Sequence, residues 1–149
     1  MTRIRCSVIR YMSQRLFPFV SFTLSAPGIY KIINALIDTG SPFTVISPRD
    51  LLATRYPFRA KRTDQIVFLA GHKFYRTQIN RAKLLFKTEN DKIFDINVRS
   101  IGALIPTKHD QKTIDAIISI PSLVGNDFLE DHNCSLHFNP NNQTADLEC

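Results

Sequence analysis

The chain has 149 residues, of which 44% are hydrophobic, with 11 Phe and no Trp. That is enough for one domain with a core of its own, and it excludes a disordered chain. The formal net charge of +6 is uneven: residues 1–54 carry six basic and two acidic side chains, 55–92 ten and three, and 93–149 three and eight. A basic middle suits nucleic acid, a membrane surface or an acidic substrate, and it equally suits a solvated face.

Met1 to Leu16 is basic and weakly patterned, so residues 1–16 read as an N-terminal extension or an edge strand ahead of a single domain over 17–149. Phe17 to Leu24 and Tyr30 to Ile37 read as a hairpin around Ala26-Pro27-Gly28. Thr44 to Ser47 is a short strand. Ser47-Pro-Arg-Asp50 has the pattern of a helix start, with Ser47 as cap, Pro48 in the first turn and Asp50 at the capping-box position, and Tyr56-Pro57 stops that helix.

Gln65 to Leu69 and Lys73 to Ile79 flank Gly71 as a second hairpin. Ala82 to Lys87 and Ile93 to Val98 are strands around Glu89-Asn90-Asp91, and Ile101 to Ile105 continues the sheet. Pro106 to Thr113 reads as a surface loop. Asp115 to Gly125 reads as a buried strand, Asn126 to Asp131 as a short helix, and Leu136 to Phe138 and Thr144 to Leu147 as a last hairpin. The expected class is all-β, a closed barrel with one or two short helices.

One residue stands out. The run Ala35 to Ile37 drives into Asp38, and Thr39, Gly40 and Ser41 then turn into the apolar run Phe43 to Ile46. A carboxylate at the end of a buried strand costs several kcal/mol unless it is paired or used. Asp38 has a plain reading, a turn aspartate that caps local backbone. A phosphate-cradling loop of the actin and sugar-kinase kind also places an Asp-x-Gly-Ser between strands. That architecture needs two lobes and a second glycine-rich loop, and this chain has 5 glycines in all.

Ala35-Leu-Ile-Asp-Thr-Gly-Ser41 resembles the catalytic loop of the aspartic proteases. Leu123-Val-Gly-Asn-Asp-Phe-Leu129 resembles that family's second signature, and the separation of the two resembles the single-domain retropepsin type. The resemblance covers roughly Phe17 to Glu148 in layout. It implies a retropepsin-like fold and an aspartic endopeptidase in which two such carboxylates share one water, one ionised and one protonated. Neither metal, cofactor nor covalent intermediate is implied. The sequence holds one Asp-Thr-Gly, so activity requires a homodimer with Asp38 from each chain.

The same resemblance implies the remaining roles. Thr39 would lock the two loops across the axis, Gly40 would allow the tight turn, and Ser41 would reach the outer oxygen of Asp38. Gly125 would permit close packing beneath the loop. Leu69, Ala70, Gly71 and His72 would form a flap tip over an extended peptide, and Leu123 and Val124 the wall of its cleft. Phe43 and Asn126 stand where viral members carry an acid–arginine pair, so that pairing is not expected, and the flap has a single glycine. The alternative is a dimerisation or peptide-binding module of this fold without turnover.

The other candidates have plainer readings. His132, Cys134 and His137 match no zinc spacing, so they are expected to be structural. His72 suits a solvated turn. The odd cysteine count, Cys6, Cys134 and Cys149, argues against a disulfide framework, with Cys134 in the core and Cys149 a frayed terminal thiol. The expected setting is reducing and cytoplasmic. No apolar run has the length of a membrane span, and four arginines break any signal-peptide pattern before Phe17. The expected partners are a peptide or protein substrate and a second copy, rather than a membrane or nucleic acid.

Overall fold

The computed structural model describes residues 1–12, 14–99 and 101–149. Its strands are β1 (Arg3–Tyr11), β2 (Arg15–Ala26), β3 (Ile29–Ile37), β4 (Val45–Ile46), β5 (Gln65–Leu69), β6 (His72–Ile79), β7 (Ala82–Lys87), β8 (Ile93–Val98), β9 (Ile101–Pro106), β10 (Leu123–Val124), β11 (Ser135–Asn139) and β12 (Thr144–Glu148). Three short helices interrupt them: α1 (Pro48–Leu51), α2 (Gln111–Ile117) and α3 (Asn126–Asp131). The chain is mostly β.

The strands form one sheet in the order β11-β12-β1-β2-β3-β10-β4-β9-β6-β5, with β7 and β8 branching from β2. The path is open, ending at β11 and β5, and does not close on itself. The long β2 makes the branch possible. Its first half pairs with β1 (Ser7 opposite Phe19), and further along Phe22 to Ser25 pair with β7. β3 runs along its other side from Leu36 opposite Phe19 to Ile29 opposite Ala26.

Local chemistry accounts for the turns. Pro27-Gly28 joins β2 to β3 with Gly28 at φ 80, the positive value that a type II turn demands after proline. Ala70 and Gly71 join β5 to β6 at φ 49 and 78, the two positive values of the hairpin turn that matches strand twist. β3 alternates buried and exposed residues over its first half and is then buried on both faces from Ala35 to Ile37, where it enters the middle of the sheet.

The core lies in two clusters. The larger one gathers residues such as Ile4, Val20, Ile33, Leu84, Val124 and Leu147 from nearly every strand. The smaller one lies beneath the β5–β6 hairpin and holds Phe19, Leu36, Val45, Phe74, Leu104 and Leu123, with Ile117 and Ile120 from α2 and the segment after it.

Four expectations change. β1 lies between β12 (Ile4 opposite Leu147) and β2 in the sheet, so Arg3–Tyr11 is neither an edge strand nor a separate extension. The segment from Asp115 is helical to Ile117, and only Leu123 and Val124 of it are strand. Asp110 caps that helix, its carboxylate accepting the N–H (3.2 Å) and hydroxyl (2.7 Å) of Thr113, and these bonds hold its pKa below the usual carboxylate range. Gln111 to Thr113 therefore belong to a helix rather than to the expected loop.

The third and fourth changes concern the cysteines. Cys134 and Cys149 form a disulfide, although the odd count argued against one. Cys149 is not frayed: it exchanges two backbone hydrogen bonds with Thr2, at 2.8 and 2.9 Å. The cysteine argument for a reducing compartment therefore loses its basis. Cys6 is the thiol left over, and burial pushes its pKa up to about 12, which keeps it protonated and inert at neutral pH. Among the described residues no helix is long and apolar enough to cross a membrane.

The disulfide closes a loop over a sequence separation of 15. Its loss, by Cys134→Ser with Cys149→Ser, is expected to cost about 3 kcal/mol and about 6–12 °C in Tm, checked by calorimetry with and without reductant.

Candidate active site

Asp38 stands where β3 leaves the sheet. Its backbone N–H donates to Val124 O at 2.9 Å, so the carboxylate's own peptide is pinned to β10. Its carbonyl accepts the N–H of Ser41 at 3.0 Å, and Oδ1 accepts the N–H of Gly40, also at 3.0 Å. The side chain is thus oriented by the loop it begins, in the manner of an Asx-turn. Asp38 is half-buried, and Thr39 and Gly40 are exposed. A Cβ on Gly40 would stand 3.3 Å from Asp38 Oδ1, a tight fit that accounts for a glycine there.

Ser41 is turned the other way from the expectation. Its hydroxyl donates to Phe43 O at 2.9 Å rather than to Asp38, and its carbonyl accepts the N–H of Asn126 at 2.8 Å. The hydroxyl shapes the loop, and the carbonyl ties the loop to the start of α3.

Gly125 lies against the carbonyls of the Asp38 loop. A Cβ there would lie 2.4 Å from Phe43 O and 2.8 Å from Ser41 O, so only glycine allows this approach. Its φ of −94 is ordinary, so the constraint is space and not conformation. β10 itself threads between β3, which it meets in parallel (Val124 opposite Ile37), and β4 (Leu123 opposite Val45).

Two residues that sequence reasoning missed complete the junction. The Asp127 carboxylate accepts the backbone N–H of Thr44 (3.0 Å) and its hydroxyl (2.7 Å), along with the N–H of Phe128 (2.8 Å). The Thr44 oxygen in turn accepts the N–H of Gly125 at 3.0 Å. This clasp holds the loop to α3, and Phe43 lies under Arg76, whose guanidinium carbon is 3.7 Å from the ring centroid. The signal in the sequence was an acid in the first turn of a short helix, where the dipole favours it.

A second buried polar group lies behind the loop. Ser122 donates its hydroxyl to Asp50 Oδ2 at 2.6 Å and accepts the N–H of Ser47 at 2.9 Å, while Ser122 O accepts the N–H of Leu36 at 2.9 Å. Asp50 is 7% exposed, with Lys31 Nζ at 3.8 Å and Arg49 Nε at 3.6 Å. The expected capping box at Ser47 is not formed: its side chain makes no cap hydrogen bond, and Asp50 is spent on this network.

The remaining candidates divide. Leu123 is buried in the smaller cluster, so on the single chain its side chain does not line a cleft wall as expected, and Leu69 of the β5–β6 hairpin packs against that cluster. Val124 is fully buried in the larger core, so its side chain cannot line a cleft wall as expected. Ala70 and Gly71 form the exposed hairpin tip, and His72 opens β6 half-buried beside it. Surface clefts of 240–560 Å³ on the single chain are lined by residues other than Asp38.

His132, Cys134 and His137 do not gather as ligands. Cys134 is in the disulfide, His137 Nε2 lies 3.4 Å from Glu148, and the His132 ring packs on Phe128 at 4.8 Å. Burial pushes the His132 pKa below its ordinary value. Compared with protein-family models and with curated proteins, the chain matches none.

Gly125→Ala is expected to destabilise by about 2–3 kcal/mol through the carbonyl clash, and Asp127→Ala by about 2–4 kcal/mol by leaving Thr44 unpaired; urea unfolding checks both. His132, with its depressed pKa, contributes stability that is present above about pH 6.5 and is lost as pH falls towards its folded pKa. His132→Gln is expected to flatten the fall of Tm between about pH 7 and pH 5, read by scanning calorimetry.

Proposed function

We propose that the chain is an aspartic-type endopeptidase of retropepsin-like fold, acting as a homodimer in which Asp38 of each copy supplies one carboxylate. The observation that carries this reading is the junction at Asp38. An acid leaves a buried strand into an Asp-Thr-Gly turn, and that turn is tied to the Gly125 segment by Asp38 N–H to Val124 O (2.9 Å) and Asn126 N–H to Ser41 O (2.8 Å). A structural turn could be built from far less.

In the proposed dimer two like charges at close range cannot both ionise, so the pair holds one proton and titrates as a unit. The ionised Asp38 takes a proton from a water, which attacks the peptide carbonyl. The protonated Asp38 hydrogen-bonds the carbonyl oxygen and then supplies a proton to the departing nitrogen. Thr39, exposed on the same turn, is free to meet its counterpart across a two-fold axis. The β5–β6 hairpin supplies backbone groups to an extended peptide, and the half-buried Leu69 supplies apolar surface beneath it.

A second reading keeps the fold and the dimer but omits turnover. The hydrogen bond from Gly40 N–H to Asp38 Oδ1 at 3.0 Å favours it, because a purely structural Asx-turn makes the same bond.

Asp38→Asn is expected to abolish cleavage of a mixed peptide pool, at least ~10³-fold, while fold and dimer persist. Wild-type cleavage is expected to be blocked by pepstatin. Full activity in Asp38→Asn, or a protein that stays monomeric at micromolar concentration and cleaves nothing, would sink the proposal.

A further inference from the structure

The fold sorts the basic middle of the chain into three groups, one of which, Arg62, Lys73 and Lys92, is exposed without an ion pair among the described residues and borders none of the hollows around Pro27. Arg76 covers Phe43, Lys83 pairs with Asp95 at 3.4 Å and Lys87 with Asp91 at 3.0 Å. Arg55, Arg59, Lys61 and Arg81 are exposed and make no ion pair among the described residues. These four come together because three turns meet at one end of the molecule. The segment after α1 is laid across Pro27-Gly28 by Arg55 N–H to Gly28 O at 3.0 Å, and the Asn80-Arg81 turn leaves β6 beside it.

Three adjoining hollows result. Arg59, Lys61 and Arg81 frame one of about 250 Å³, over Pro27, Pro57 and Ile79. Arg55 and Tyr30 border a second of about 530 Å³. Ala26, Pro27 and Arg81 continue into a third of about 560 Å³. No carboxylate lines any of them. On the neighbouring face of β3, Tyr30 and Ile32 are 78% and 73% exposed.

We propose that this end of the molecule is a docking surface for an acidic polypeptide segment that carries apolar side chains between its carboxylates. The four unpaired cations outnumber the one carboxylate beside them, Asp64, whose Oδ2 accepts the N–H of Lys61 and the hydroxyl of Thr77, and such a balance attracts an acidic partner. The apolar parts of the surface are aliphatic and proline, apart from Tyr30 and the half-buried Tyr56, which border different hollows. A nucleic-acid strand uses a succession of aromatic platforms, which this surface lacks. The hollows are concave, so side chains fill them, whereas a bilayer surface would span them and leave them empty. The surface lies at the far end of β3 from Asp38, nine residues or roughly 30 Å away, so it is distinct from the proposed cleavage site and does not depend on it.

The test uses the full chain carrying Asp38→Asn, so that the probe is not consumed. A fluorescein-labelled peptide of Glu, Leu and Gly is titrated by anisotropy beside an equally labelled single-stranded oligonucleotide, with vesicles of phosphatidylserine and phosphatidylcholine assayed by sedimentation. The peptide is expected to bind most tightly, and more weakly as salt rises. Arg55→Gln, Arg59→Gln, Lys61→Gln and Arg81→Asn combined are expected to weaken it at least about tenfold, the sum of several exposed ion pairs. Asn is chosen at position 81 because Arg81 holds φ 53. Lys87→Gln with Lys92→Gln, at the turn between β7 and β8 and so at the opposite end of that hairpin from Arg81, is expected to change nothing. Equal loss in both variants, no peptide binding, or tighter binding of oligonucleotide or vesicle overturns the proposal.

Discussion

At Gly125 the backbone runs so close to the carbonyls of Ser41 and Phe43 that one methyl group would stand 2.4 Å from an oxygen. Because that space is open, β10 can thread between β3 and β4 and join parts of the chain about eighty to ninety residues apart in sequence. The hydrogen bonds of the junction follow from this passage. Asp38 is held by Val124, Ser41 by Asn126, and Thr44 by Asp127. Each holds a backbone group that would otherwise be buried and unsatisfied, which costs more than the bond itself returns. Orientation of Asp38 is therefore a property of the whole crossing and not of a flexible loop.

Most strands were legible in the sequence, because alternation and turn residues agree there: Ala82–Lys87 and Ile93–Val98 have the same bounds in the structure. What failed was non-local. Asp115 to Ile120 is apolar enough for a strand, but the capping Asp110 starts a helix before it, and the two patterns overlap over a short run. β1 looked like an edge because its alternation is weak, yet its partner β12 lies at the other end of the chain, where no local pattern can report it. The disulfide was missed because counting cysteines says nothing of which two are neighbours. At the site, the glycines and the acid were readable as types, but the clasp from Asp127 to Thr44 was not, since it joins side chain to backbone across 83 positions.

The charge of the chain has a similar history. As composition, the basic middle is a single feature. In the fold, Asp95 and Asp91 pair with part of it, Arg76 lies over an aromatic ring, and part is left bare around Pro27. Net charge thus says little about where a field is strong, whereas the pattern of pairing does.

The pairing of Ile4 with Leu147 has a kinetic consequence. β1 is made first and can find β2 at once, but its other edge stays open until residue 148 has been synthesised. Ile4, 1% exposed in the finished protein, remains uncovered for that interval. Closing a contact over nearly the full length of the chain carries the largest loop entropy available to it, so this step is expected to be late and slow. A nascent chain with an unpaired strand edge is open to misassembly, and the basic residues Arg3 and Arg5 on the stretch that awaits β12 repel other copies of the same strand while it waits.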